Sequence, residues 1–260
     1  MARREFLKLL SGSAALGWFA GCAPLSREHR PPMPSAHAKI RAICFDLFTI
    51  FDPRSLVQVA ERFAPGQASE LCDAWRVRQF EYSWLRVVSH QYADFERVTA
   101  EALDYAANAR KLELSEAARR ALLTAYSELE PWPDTRAALE SWKRAGLRLA
   151  PLSNYTPRML SHLLAHAGLT ELFDAQLSSD AVRTFKPDPR AYGLGPAELG
   201  LPREQIAFAA FGGWDAAGAK WFGFPTFWLN RLSVPQEALA PGPDATGSTL
   251  GELGEFVKTW

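Results

Sequence analysis

Ala42-Ile43-Cys44-Phe45-Asp46-Leu47-Phe48-Thr49-Ile50-Phe51-Asp52 is the stretch on which the reading of this chain turns. The apolar run up to Phe45 predicts a buried strand, and it delivers Asp46 where the run gives way to a helix start expected at Asp52-Pro53. In an open α/β sheet the chemistry sits in the crevice outside the carboxyl ends of the strands, so an acid closing the first strand is placed as a nucleophile or a metal ligand. The competing reading is an ordinary cap of the next helix or loop.

Beyond Asp52 the pattern changes to helical spacing. Ser55 to Phe63, Ala68 to Val88, Phe95 to Ala107 and Ser115 to Leu129 carry apolar residues three and four apart, with no strand among them. The second of these helices holds Trp75-Arg76-Val77-Arg78-Gln79-Phe80-Glu81-Tyr82-Ser83-Trp84-Leu85-Arg86, which reads first as core or a partner interface with charges on a solvated face. Strands and helices then alternate. Thr135 to Ala145 predicts a helix and Leu147 to Leu152 a strand ending in Ser153-Asn154; Pro157 to His166 predicts a helix and Phe173 to Leu177 a strand. Past a loop with Phe185-Lys186-Pro187-Asp188, a helix is expected near Pro189 to Leu199 and a strand from Ile206 to Phe211. Gly212-Gly213-Trp214-Asp215 opens another helix, and the last apolar run, Pro225 to Leu229, leads to a Pro/Gly-rich loop and a C-terminal helix. This rhythm predicts an α/β fold, a doubly wound parallel sheet with a helical lobe inserted after its first strand. The core domain is expected over 39–53 and 132–260, and the lobe over 54–131.

Upstream lies a segment read as targeting rather than fold. Ala2-Arg3-Arg4-Glu5-Phe6-Leu7-Lys8 resembles a twin-arginine export signal, and the apolar run from Leu9 to Ala23 is too short for an ordinary membrane span. Phe19-Ala20-Gly21-Cys22 resembles a lipoprotein processing box, so Cys22 is a candidate for a lipid that would tether the chain to a membrane. Residues 1–38 are therefore expected to be signal and tether, and the location periplasmic. The 29 basic and 29 acidic residues cancel, which argues against a nucleic-acid partner but leaves room for a small anionic substrate. Cys44 and Cys72 form no Cys-x-x-Cys and read as small buried apolar residues.

The polar residues fall where chemistry would need them. Asp46, Ser153-Asn154, Lys186 and Asp215 each follow a strand run or lie in the loop beyond one, so a parallel topology gathers them at one rim. Singly, each has a plain explanation as turn former, surface charge or N-cap, but those explanations do not account for all of them at the ends of successive strands.

The order of Asp46, Ser153-Asn154, Lys186-Pro187-Asp188 and Asp215-Ala216-Ala217-Gly218-Ala219 resembles the haloacid dehalogenase superfamily. More narrowly, Trp75-Arg76 through Arg86, Tyr92-Ala93-Asp94-Phe95 and Trp214-Asp215 with Phe222-Gly223-Phe224-Pro225-Thr226 resemble the type II L-2-haloacid dehalogenases, over about Ile43 to Arg231. The resemblance implies a Rossmann-like core with a helical-bundle cap, no metal or other cofactor, a homodimer, and hydrolysis of short 2-haloacids through an aspartyl ester. It assigns catalytic roles to Asp46 as nucleophile, Lys186, Arg76 and Asn154 at the halide, Thr49, and Asp215 at the hydrolytic water. Substrate contacts fall to Ser153, Leu47, Phe48, Phe80, Phe95, Tyr192 and Trp214, with Tyr192 hydrogen-bonded near Lys186.

Two departures stand out. The family's loop after the nucleophile carries a Gly before the Thr, and here Asp46-Leu47-Phe48 runs directly into Thr49. Ahead of Trp214, Ala210 and Gly212 stand where Ser and Asn side chains are usual, so ester hydrolysis is expected to be the slower step and Gly212→Asn to speed it. The alternatives are a Mg²⁺-dependent phosphatase of the same superfamily, disfavoured by Phe48 where an acid is usual, and an exported binding protein with little turnover.

Overall fold

Residues 39–260 are described by the computed structural model; the expected signal and tether, with Arg3, Arg4 and Cys22, lie outside the described residues. In chain order the elements are β1 (Ala42–Phe45), α1 (Leu47–Ile50), α2 (Ser55–Ala60), α3 (Ala68–Val88), α4 (Phe95–Ala109), α5 (Glu116–Tyr126), α6 (Thr135–Arg144), β2 (Arg148–Ser153) and α7 (Pro157–His166). After them come β3 (Leu177–Ser178), α8 (Pro189–Tyr192), α9 (Leu194–Leu199), β4 (Ile206–Ala210), α10 (Gly213–Phe222), β5 (Thr226–Leu229), β6 (Ala245–Gly247) and α11 (Leu250–Thr259). The strands form one sheet in the order β3-β2-β1-β4-β5-β6 with every pairing parallel. From β1 the chain first winds outward through β2 and β3, then returns to the other side of β1 for β4. That reversal makes the carboxyl ends of β1, β2 and β4 a switch point, where a crevice opens. Helices cover both faces, so β1 and β4 are buried at every position and read as unbroken apolar runs rather than alternating ones.

The insert between β1 and β2 leaves and re-enters at one place. An isolated antiparallel bridge joins Phe51 to Pro131, flanked by Asp52 N–H on the Glu130 carbonyl (2.8 Å) and Trp132 N–H on the Ile50 carbonyl (2.9 Å). Within the insert, α3 buries Leu71, Trp75, Gln79 and Ser83, an i, i+4 stripe packed on α4. The buried Gln79 is satisfied on both sides: its Nε2 donates to Thr99 Oγ1 (2.6 Å) and Tyr126 OH donates to its Oε1 (2.7 Å). Asp94, Ser115 and Thr156 cap α4, α5 and α7 through their side-chain oxygens, and Pro157 sits at the first turn of α7, where its missing N–H costs nothing. Cys44 and Cys72 are free.

The elements depart from expectation in a few places. Asp46 is followed at once by the short helix α1, and the next helix begins at Ser55 rather than Asp52-Pro53. The strand expected over Phe173 to Leu177 is reduced to Leu177–Ser178, because the Asp174 carboxylate takes the Leu149 N–H (2.8 Å) that a longer strand would pair, and ties to Lys143 as well. The helix expected over Pro189 to Leu199 breaks at Gly193: Pro196 has no N–H to offer the Tyr192 carbonyl, so α8 cannot run on through it. The edge strand β6 was not anticipated; it pairs only with β5.

Candidate active site

β1 sets Asp46 at the switch point with its N–H on the Ala209 carbonyl (2.9 Å), so the residue is locked to β4 before its side chain does anything. One carboxylate oxygen accepts from Phe48 N–H (3.1 Å), capping α1, and the other from Lys186 Nζ (2.7 Å). Both readings of Asp46 therefore hold, since it caps a helix and still leaves its side chain 13% exposed to the crevice. Thr49 donates to the Asp46 backbone carbonyl (2.6 Å) and is fully buried, so it braces the nucleophile's backbone and does not face the crevice; its expected catalytic place is corrected accordingly.

Lys186 is 1% exposed and shared between two acids, with Nζ 2.7 Å from Asp46 Oδ1 and 2.7 Å from Asp215 Oδ2. Burial alone would lower its pKa; the two carboxylates outweigh that and leave it above the ordinary lysine value, so it is a permanent cation. Burial is also the largest influence on Asp215, pushing its carboxyl up to about 6, with Asp46 adding to the rise and Lys186 and Tyr192 opposing it. The Tyr192 hydroxyl donates to the other Asp215 oxygen (2.6 Å). Asp215 and Tyr192 are thus both corrected. Asp215 is not an N-cap, since α10 starts two residues earlier behind Gly212, and its two oxygens are taken up by Lys186 and Tyr192 in a fully buried position behind the crevice. Tyr192, equally buried, holds Asp215 and touches no substrate space.

The residues that do line one cavity are Asp46, Leu47, Phe48, Arg76, Phe80, Phe95, Ser153, Asn154, Lys186 and Trp214, all expected from the sequence, together with Tyr155 and Gly212. Its volume is ≈ 20 Å³, room for about one water. Arg76 reaches in from α3 with its guanidinium over the rings of Phe48 (4.7 Å), Phe211 (5.3 Å) and Phe80 (5.7 Å), and among the described residues no carboxylate pairs with it. An unpaired, weakly hydrated cation among aromatic rings is a seat for a soft anion. Asn154 has its amide oxygen engaged by Lys186 N–H (2.8 Å) and the Ser179 hydroxyl (3.2 Å), which leaves its NH₂ as the donor for the cavity. The Ser153 hydroxyl accepts from Tyr155 N–H (3.0 Å), which leaves its proton free to donate.

Two features were missed. Tyr155 follows Ser153-Asn154 directly, and its place just beyond the pair was the available signal. Phe211 backs Arg76, and nothing in its local pattern shows that. Gly212 also has a reason of its own. A Cβ there would lie 2.7 Å from Trp214 Nε1, so the indole fills the space a side chain at 212 would use, and Gly212→Asn is a displacement of Trp214 rather than a restoration.

This arrangement is that of a hydrolase working through a strand-end carboxylate. The family model for haloacid dehalogenase-like hydrolases matches residues 40–223, and the chain belongs to that family. It is 39% identical to the (S)-2-haloacid dehalogenase of Pseudomonas sp. (strain YL), over 85% of this chain and 95% of that one. A crystal structure of an L-2-haloacid dehalogenase superposes with a TM-score of 0.83 at 41% identity, covering 85% of this chain and all of that one. The L-2-haloacid dehalogenase from Xanthobacter autotrophicus with chloropropionic acid covalently bound superposes with a TM-score of 0.78 at 37% identity, covering 84% of this chain and 98% of that one.

Proposed function

We propose that the protein is a hydrolytic dehalogenase that converts short L-2-haloacids to D-2-hydroxyacids and halide. The observation that carries this is the cavity itself, with a partly open Asp46 carboxylate beside a buried permanent cation and an unpaired guanidinium on the opposing helix. Asp46 attacks C2 in line; its oxygen–carbon bond forms as the carbon–halogen bond breaks, and the halide leaves with the electron pair toward Arg76 and the Asn154 NH₂. Ser153 donates to the substrate carboxylate. Water then adds to the Asp46 carboxyl carbon, expelling the inverted hydroxyacid and a proton, and the Asp46 carboxylate is restored beside Lys186. The relative trapped with chloropropionic acid on the protein supports the ester step. Halide release from L- but not D-2-chloropropionate, undiminished by EDTA, is the expected result; turnover of phosphate esters that needs Mg²⁺ would replace this reading with the phosphatase.

We infer further that the enzyme acts as an exported homodimer. The exposed Val77, Leu85 and Val88 on α3 support a second copy as partner, and size-exclusion chromatography of the same preparation checks it. The Arg3-Arg4 pair supports twin-arginine export, with Cys22 as a candidate lipid anchor. Replacing Arg3-Arg4 by Lys-Lys is expected to move the protein from periplasmic to cytoplasmic fractions, and an unchanged distribution would remove the export reading.

A further inference from the structure

The apolar walls of the cavity divide into two groups. Phe48, Phe80 and Phe211 lie under the Arg76 guanidinium, and Trp214 packs on Phe80 with ring centroids 5.1 Å apart, so these rings belong to the halide side. On the Ser153 side the wall is made by Tyr155 and Phe95, whose rings stack 5.5 Å apart. Tyr155 is fixed from every direction. Its N–H holds Ser153, its carbonyl accepts from Ser178 (2.6 Å), its hydroxyl donates to the Tyr126 carbonyl at the end of α5 (2.7 Å), and its ring packs on Tyr126 as well (5.8 Å). At 2% exposure it has nowhere to swing.

A 2-haloacid held by Ser153 at its carboxylate and by Arg76 at its halogen must send its alkyl group toward the remaining apolar wall. Resting on the dehalogenase reading above, we propose that Tyr155 sets the chain-length limit of the substrate, restricting the enzyme to haloacetates and 2-halopropionates and rejecting longer 2-haloacids. The ≈ 20 Å³ cavity requires its walls to give for any substrate, and the smallest acids ask least of a wall that is pinned at every polar atom. Each methylene refused or admitted by an apolar pocket is worth about 10- to 200-fold in kcat/KM.

The test is kcat/KM for halide release from chloroacetate, L-2-chloropropionate and L-2-chlorobutyrate. The unsubstituted protein is expected to favour L-2-chloropropionate over L-2-chlorobutyrate by about tenfold or more. Tyr155→Phe, which keeps the ring and loses the hydroxyl, should leave that ratio within about twofold; Tyr155→Ala should shrink it about tenfold, and Tyr155→Leu, the variant to rely on if alanine does not fold, should shrink it in part. An unsubstituted enzyme that handles the four-carbon acid as well as the three-carbon one overturns the proposal, as does a ratio unmoved in folded Tyr155→Ala or Tyr155→Leu. No halide from any of the three acids would instead remove the dehalogenase reading on which the proposal stands.

Discussion

Asp46→Asn is expected to lower halide release at least about 10⁴-fold, as loss of a covalent nucleophile does elsewhere, while leaving the fold within about 1 kcal/mol of its original stability. The amide is isosteric and its oxygen can still accept from Phe48 N–H; Lys186, which now faces two acids, would keep Asp215 and form a balanced pair. In the unsubstituted enzyme, a single turnover in ¹⁸O water should place label in Asp46 before it appears in the hydroxyacid, and label entering product directly would rule out the ester. Halide should also appear in a burst of about one per site ahead of a slower steady rate. The geometry strengthens that expectation, because Ala210 and Gly212 bring no polar side chain to the cavity and Asp215, the expected partner of the water, is committed to Lys186 and Tyr192. Stopped-flow halide detection without a burst would place the slow step at displacement.

Lys186→Met should cost about 10³-fold in kcat/KM, roughly 4 kcal/mol, because the cation beside the nucleophile is lost. It should also cost stability in a pH-dependent way. A carboxyl whose folded pKa is raised is most favourable to the fold below its unfolded pKa and loses that advantage as pH rises through the folded value. Asp215 is already raised to about 6 with Lys186 present, and removing the cation removes its main opposing influence. Lys186→Met should therefore lie close to the unsubstituted protein in thermal melts near pH 4 and fall further below it toward pH 8, where breaking a buried ion pair costs about 3–5 kcal/mol. A deficit independent of pH would show that Asp215 does not carry the effect. In the unsubstituted enzyme the same carboxyl predicts kcat/KM falling as pH drops below about 6, when Asp215 takes up a proton and loosens its hold on Lys186.

What could be read from the chain was governed by how local each signal was. The bounds of α3 and α7 match their expected limits because their periodicity is long and, for α7, Thr156-Pro157 starts the helix by purely local chemistry. The cavity residues were legible because a parallel sheet collects whatever follows its strands at one rim. Orientation was not legible. Whether Asp215 faces the crevice or the core depends on Tyr192, twenty-three positions away, and Tyr155 gains its meaning from a carbonyl twenty-nine positions earlier. Nor could short elements be seen: α1 has four residues and β3 two, too few for any period to register.

The bridge between Phe51 and Pro131 has a mechanical meaning. The insert is joined to the sheet by two chain crossings held side by side by a pair of backbone hydrogen bonds, a joint that resists stretching and sliding but twists readily. Its far edge is fastened by side chains alone, Trp84 to the Lys186 carbonyl, Tyr92 to Asp180, and the surface pairs Arg158–Glu96 and His162–Glu128. Exposed pairs of that kind hold with about 0–1 kcal/mol each. The insert is thus hung like a door, pivoted at the rim where the nucleophile strand ends and weakly bolted opposite, so that a few degrees of torsion at the pivot become the widest displacement at Phe80 and Arg76, the two side chains it carries into the cavity.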